Sequence, residues 1–141
     1  MRPAPFRRLI RTLASRAFPA DVPAPFGELS VTLTDDADMP AYKAGCFGVR
    51  RQTDVVVQSY EAVPGVCPAT AEIILNAERA KAEGKARPGG PARELALYLA
   101  HGLDHLAGHD DDTPARRRAM RRRETGWLDA DSAAYRGILA R

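Results

Sequence analysis

The stretch "RELALYLAHGLDHLAGHDDD", residues 93–112, contains all three histidines of the chain and its clearest helical pattern. Its spacing predicts a helix over residues 92–107, because apolar side chains recur on one face at about 100° per residue. A second stripe beside them carries Glu94, His101 and His105. We expect the first stripe to pack on the core and the second to face a cleft. The apolar stripe consists of Leu95, Leu99, Gly102, Leu103 and Leu106.

The histidine spacing predicts a metal site at the end of this helix. His101 and His105 are four residues apart, so both rings project from one helical face and can converge on one ion. If the helix ends at Gly108, the chain can turn back and bring Asp111 to the ion as a third ligand. If the helix continues, His109 is the third histidine at four-residue spacing on the same face. The three rings would then lie in a row along the helix axis rather than around one ion. We favour Asp111 and keep His109 as the alternative.

The two imidazoles and one carboxylate of the predicted site indicate which metal ion it would bind. This ligand set leaves a fourth coordination position open for water, as in catalytic zinc sites. We therefore expect one Zn²⁺, or another divalent transition metal, per chain. Asp104 lies about 100° from His105 on the helix and is expected to be solvated, and Asp110 and Asp112 are expected to be surface or supporting residues.

The rest of the chain predicts a small α+β domain. Thr113 followed by Pro114 predicts the cap and first turn of a helix after the histidine stretch. We treat residues 1–141 as a single domain, with an Arg-rich N-terminal helix within 1–20 and an Arg-rich helical region over 113–141. The remaining predicted elements are a helix over 5–18, a strand over 28–34, a short helix within 37–48, a strand over 53–60, and a strand over 72–75 that runs into a helix ending at Gly84.

Composition excludes several classes of protein. The 141 residues are 45% hydrophobic and 28% charged, which is typical of a soluble globular domain. No apolar run approaches the roughly 20 residues that span a bilayer, so we expect no membrane partner. Cys46 and Cys67 are too few for a disulfide framework and lie in no metal-binding spacing. We therefore expect a reduced, cytoplasmic protein.

The basic residues point to nucleic acid. Eighteen of the 21 basic residues are arginine, whose planar guanidinium suits bidentate contact with phosphate. The segment "ARRRAMRRR", residues 115–123, follows the predicted ligand Asp111 directly. It predicts RNA contacts from Arg116, Arg117 and Arg121. A solvated helix face is the alternative, because three consecutive arginines must spread around the helix.

The histidine stretch resembles the signature of the bacterial YbeY family of rRNA-maturation endoribonucleases, HGxLHLxGYDH. Asp111 stands where that signature has its third ligand histidine, and His109 stands in place of its tyrosine. Upstream, "SVTLTDDADMPAY" (30–42), "TDVV" (53–56) and "AEIILNAERA" (71–80) are similar to successive family segments. The resemblance thus covers residues 28–112. The positions that match in register are His101, Gly102, His105, Leu106, Gly108 and Asp110.

The resemblance implies a zincin-like α+β fold with a short mixed sheet and a metal site at the end of a central helix. It also implies a metal-dependent endoribonuclease that acts on single-stranded RNA in rRNA maturation and ribosome quality control. The chain departs from the family at Phe47, where the family has a catalytic arginine. Arg50 and Arg51 lie nearby and are the candidate substitutes.

Three functional hypotheses therefore remain open. The first is the endoribonuclease. The second is an RNA- or ribosome-binding protein with a structural metal, which Phe47 favours. The third is a metallopeptidase-like hydrolase. Zinc peptidases place a general-base glutamate directly after the first histidine of the pair, and Gly102 occupies that position here, which disfavours the third hypothesis.

Overall fold

The computed structural model describes residues 3–22, 24–42 and 54–139. Residues 39–42 are helical and bear out the start of the short helix predicted within 37–48. Phe47, Arg50, Arg51 and Cys46 lie outside the described residues. The named elements are α1 (Pro3–Ala17), β1 (Glu28–Thr34), β2 (Val55–Tyr60), β3 (Thr70–Asn76), α2 (Ala77–Gly84), α3 (Gly90–Leu106), α4 (Pro114–Ala130) and α5 (Ser132–Arg136).

The three strands form one mixed sheet in the order β1-β3-β2. β1 runs parallel to β3 with Val31 opposite Ile73, and β2 runs antiparallel to β3 with Val57 opposite the same residue. The central strand is buried on both faces. Ile73 faces the main core with the helices, while the neighbouring Ile74 packs with Met39 and Val56 on the other face. This arrangement confirms the predicted α+β class with a short mixed sheet.

The central helix α3 packs its apolar stripe on the sheet. Leu95, Leu99 and Leu103 are fully buried in the main core, as the spacing predicts. Gly102 allows the close approach, because a Cβ atom there would lie 3.0 Å from Ile73 Cγ2 and 3.4 Å from Val55 Cγ2. The fold thus presses one face of α3 against the strands and leaves the neighbouring histidine face half-buried.

A turn connects the end of α3 to the start of α4, next to the histidine face of α3. Gly108 has φ +99°, a backbone conformation that glycine adopts without a Cβ clash. The Gly108 amide donates to the His105 carbonyl at 3.0 Å and the His109 amide donates to the Asp104 carbonyl at 3.3 Å, which together form a Schellman motif. Thr113 then caps α4, its hydroxyl accepting from the Arg116 amide at 3.1 Å. Both helix boundaries follow the sequence prediction.

The N-terminal helix is amphipathic. Phe6, Leu9 and Leu13 of α1 are buried in the main core, while Arg16 on its outer side pairs with Asp131 at 2.6 Å. Among the described residues, none of the helices combines the length and the apolar character that crossing a bilayer requires.

Candidate metal centre

Three side chains converge at the C-terminal end of α3. His101 Nε2 lies 3.1 Å from His105 Nε2, and Asp111 Oδ2 lies 3.5 Å from the first of these nitrogens and 3.7 Å from the second. The two rings meet edge to face, with centroids 4.5 Å apart. The turn at Gly108 is what brings Asp111 back to the helical pair.

These separations fit a single metal ion. A tetrahedral zinc ion with bonds of about 2.0–2.1 Å holds its ligand atoms about 3.3–3.4 Å apart. The three distances between His101, His105 and Asp111 lie within a few tenths of an ångström of that value. The three side chains are 29%, 27% and 43% exposed, so a fourth coordination position would be open to solvent. The donor set can therefore hold a divalent cation.

The hydrogen bonds on the far side of each ring fix which nitrogen carries the proton. His105 Nδ1 lies 3.0 Å from the His109 carbonyl oxygen, which can only accept, so Nδ1 of His105 donates. His101 Nδ1 lies 2.9 Å from Glu124 Oε2 and donates to that carboxylate. In the neutral imidazoles both Nε2 atoms then carry lone pairs toward Asp111. Three electron-pair donors facing one point repel each other unless a proton or a metal cation lies between them.

Glu124 is a site residue that sequence reasoning missed. It lies on α4 and is 1% exposed. Burial raises the pKa of Glu124, and its hydrogen bond with His101 acts in the opposite direction. Burial also acts to lower the pKa of His101, but the hydrogen bond and charge of Glu124 outweigh it and the pKa rises above its ordinary value. The available signal was an acid at helical spacing between two apolar residues, Met120 and Leu128, in an otherwise polar helix.

Asp104 is buried, whereas the sequence predicts a solvated side chain at this position. It is fully buried, and both of its oxygens accept from Arg123, at 2.8 Å from Nε and 3.0 Å from Nη2. The ring of His109 also contacts it, with Nδ1 3.0 Å from Oδ1. The prediction was wrong because α4 packs over this face of α3, a tertiary contact that helical spacing cannot show. The ring of His109 is thus engaged by Asp104, and the structure groups Asp111 with the histidine pair instead.

The other two acids of the stretch lie at the surface. Asp110 and Asp112 are exposed, as predicted. Asp112 pairs with Arg116 at 2.8 Å, and this contact lowers the pKa of its carboxyl.

A cavity of about 540 Å³ opens beside His101 and Asp111 and is lined by four arginines of α4. Arg117 Nη1 donates to the Asp111 carbonyl oxygen at 3.1 Å. The remaining three form no ion pair with any residue that the structure describes. The four arginines share one helical face by their spacing, and they are Arg117, Arg118, Arg121 and Arg122.

The six arginines of residues 115–123 are therefore divided between two faces of α4. Arg116 pairs with Asp112 and Arg123 with Asp104, both outside the cavity. The structure thus places Arg117 and Arg121 beside the metal-binding triad and separates Arg116 from them. The candidate substitutes for the family arginine, Arg50 and Arg51, lie outside the described residues.

Comparison with known proteins identifies one family. The family model described as Endoribonuclease YbeY matches residues 4–130. The chain is 35% identical over 100 residues to an "Endoribonuclease YbeY" of Rhodopirellula baltica, which covers 70% of this chain and 50% of the relative. A relative of the same name from Anaeromyxobacter is 32% identical over 117 residues, or 83% of this chain and 60% of the relative. One from Roseiflexus castenholzii is 31% identical over 127 residues, or 85% and 79%.

The chain thus spans about 50 to 60% of the length of the first two relatives and more of the third. The matched residues include all of α3, the turn that follows it, and the arginine face of α4. On the strength of this match, the chain belongs to the YbeY family.

Proposed function

We propose that this protein is a metal-dependent endoribonuclease that cleaves single-stranded RNA. One observation carries the proposal: three potential metal-ligand atoms converge beside a cavity lined by four arginines. The first feature favours a divalent cation and the second favours a polyanion. The curated relatives named endoribonuclease provide independent support.

His101, His105 and Asp111 would hold one Zn²⁺ or another divalent transition metal. A bound ion of this type polarises a phosphoryl oxygen and lowers the pKa of a coordinated water. Glu124 keeps the proton of His101 on Nδ1, so Nε2 remains available as a ligand. The His109 carbonyl does the same for His105. The surrounding protein thus prepares both imidazoles for metal binding before any ion arrives.

The arginines of the cavity would bind the RNA backbone. Arg117 contacts the Asp111 carbonyl oxygen, and the positive charge of Arg121 acts on His101. Their guanidinium groups can donate paired hydrogen bonds to phosphate oxygens and offset the negative charge that develops on the phosphoryl oxygens during cleavage. Arg50 and Arg51 remain candidates for the latter role. Arg116 would contribute little, because Asp112 already neutralises it.

Ribosomal RNA is the substrate class that we propose within this activity. The proposal rests on the resemblance of residues 28–112 to a family of rRNA-maturation factors. Ribosome quality control and a cytoplasmic location belong to the same proposal.

The two alternatives make different predictions. Zinc peptidases carry a general base directly after the first histidine of the pair, and Gly102 at that position has no side chain to serve as one. An RNA-binding protein with a structural metal would keep the ion and the RNA affinity but would leave the RNA intact. Cleavage is therefore the measurement that separates the hypotheses.

The test uses a labelled single-stranded oligoribonucleotide and zinc-loaded protein. We expect cleavage that stops with chelator, returns with added zinc, and falls to background in His105→Ala. His109→Ala retains the backbone carbonyl and is the matched control, which should keep most of the activity. Arg50→Gln and Arg51→Gln measure the contribution of those side chains. Metal-loaded protein that binds RNA without cutting it would overturn the hydrolytic proposal in favour of the structural-metal alternative.

A further inference from the structure

A second groove opens on the other side of the metal-binding triad. It has a volume of about 400 Å³, and its lining includes His105 from α3 and Tyr60 from the end of β2. Phe26, Ser59 and Glu61 complete its polar and aromatic wall. Because His101 and Asp111 line the arginine cavity while His105 lines this groove, the triad lies between the two depressions.

The two depressions differ in chemistry. The first carries four arginines, whereas none of the described residues that line the second is lysine or arginine. The exposed carboxylate of Glu61 would repel a phosphate in the groove, but it can accept a hydrogen bond from an amino group. The hydroxyl of Ser59 can donate or accept. In a nucleic acid strand, each sugar next to a phosphate carries a base. A cationic cavity on one side of the site would suit the phosphate, and an aromatic, weakly acidic groove on the other side would suit the neighbouring base.

Tyr60 is the feature of the groove that points to a base. Its side chain lies at the end of an edge strand and is 52% exposed, so the ring is not needed to fill the core. Phe26 is fixed on the groove wall by an edge-to-face contact with Phe18, with ring centroids 5.4 Å apart. A half-exposed aromatic ring in a groove that a second, fixed ring also lines offers a flat face on which a base can stack.

We propose that the groove formed by Phe26, Tyr60 and His105 is a nucleobase subsite in which a base adjoining the scissile phosphate stacks on Tyr60. The inference rests on the proposed endoribonuclease function. It adds a specific contact to that function: the arginine cavity holds backbone phosphate on one side of the triad, and the groove receives a base on the other. The subsite selects single-stranded RNA, because a base paired within a duplex must first be unpaired and unstacked before it can reach Tyr60.

The test compares two RNA probes on zinc-loaded protein. One is an octamer of adenylate, and the other is an octamer of the same sugar-phosphate backbone without bases. Stacking of one base corresponds to roughly 5- to 150-fold in affinity. We therefore expect wild-type protein to bind the adenylate octamer more tightly than the abasic one by a factor in that range.

Variants then assign this preference to the groove. Tyr60→Ala should reduce the preference to less than about twofold, whereas Tyr60→Phe, which retains the ring, should keep it. Tyr42→Ala is the matched control, because Tyr42 is 38% exposed and does not line the groove. Arg121→Gln should weaken binding of both probes by a similar factor, since both carry phosphates.

The outcomes separate this inference from the function on which it rests. Equal binding of the two probes by wild-type protein would overturn the subsite, and so would an unchanged preference in Tyr60→Ala. Cleavage without any dependence on Tyr60 would support the endoribonuclease and overturn the subsite. Base-dependent binding without cleavage would support the subsite and overturn the hydrolytic function. If neither probe is bound or cut, both proposals are overturned.

Discussion

At the scale of single residues, the proposed metal site depends on the Nδ1 atoms of His101 and His105. Glu124 accepts from Nδ1 of His101 at 2.9 Å, and the His109 carbonyl accepts from Nδ1 of His105 at 3.0 Å. The Nε2 atoms are therefore available to bind a cation. A histidine pair at helical spacing without such partners could take either tautomer. The supporting contacts distinguish this pair from an ordinary surface HxxxH.

Glu124→Gln tests this support. Glutamine keeps an acceptor oxygen near His101 but removes the negative charge that makes the imidazole a stronger ligand, so we expect zinc affinity to fall about tenfold. Competition with a chelating dye measures the dissociation constant. Asp112→Asn, which neutralises an exposed acid on the neighbouring loop, should leave it unchanged. Equal affinities for wild type and Glu124→Gln would show that Glu124 does not tune the site.

Tyr98 provides a second test at this scale, through pH. Burial raises its pKa well above the usual 10.0, with the negative charges of Asp54 and Glu94 and a hydrogen bond to Glu94 adding to the effect. Above about pH 10 the unfolded chain therefore releases a proton that the folded chain retains, and the free energy of unfolding falls as pH rises. Between pH 9 and 11 we expect wild type to lose about 1 kcal/mol more than Tyr98→Phe in urea titrations. Tyr42→Phe is the control, and a wild-type curve parallel to that of Tyr98→Phe would contradict the account.

At the scale of elements, the contact between α3 and the sheet positions the histidines. We expect Gly102→Ala to destabilise the protein by about 1–3 kcal/mol, because its Cβ would press on Ile73 at 3.0 Å. Gly126→Ala on α4 is the matched control. No atom lies within 4 Å of its added Cβ, so the better helix propensity should stabilise the protein by about 0.5–1 kcal/mol. Urea unfolding measures both changes, and a neutral Gly102→Ala would show that the helix can move away from the strands.

The sequence predicted the elements that depend on local signals. The leucine stripe, the Gly108 stop and the Thr113 cap all act within a few residues, and the structure has all three. Strand order and the parallel pairing of β1 with β3 depend on contacts about 40 residues apart, which periodicity does not encode.

The features of the site also divide into those that local spacing predicts and those that depend on tertiary packing. His101 and His105 share a helical face, so their spacing alone predicts that they meet. The burial of Asp104 and the contact of Glu124 with His101 both require α4 to cross α3, and no local pattern specifies that crossing. Helical spacing does separate the arginines of α4 into two faces, but only the packing of α4 shows which face meets the site.

At the scale of the whole molecule, the net charge is small but the positive charge is concentrated in one place. The formal net charge is only +3, yet four arginines line a single cavity beside the triad. Acids elsewhere neutralise their neighbours Arg116 and Arg123. The electrostatic attraction for the proposed RNA substrate is therefore directed to the site.

The salt dependence of RNA binding tests this localisation. Each phosphate contact on a single strand contributes about −0.7 to the slope of log K against log salt concentration, so four arginines predict a slope of about −3. Arg121→Gln should reduce its magnitude by about 0.7, and Arg116→Gln should leave it nearly unchanged. Equal effects of the two variants would indicate a diffuse basic surface instead of a defined cavity.

The central claim is that His101, His105 and Asp111 together hold one divalent metal ion. The most direct measurement is the zinc content of the purified protein by elemental mass spectrometry after equilibration with zinc and removal of unbound ion. We predict about one zinc per chain in wild type and in His109→Ala, and close to none in His105→Ala and Asp111→Ala. Asp111→His, which supplies an imidazole at the third position, should retain the metal. Full zinc content in Asp111→Ala together with its loss in His109→Ala would contradict the account.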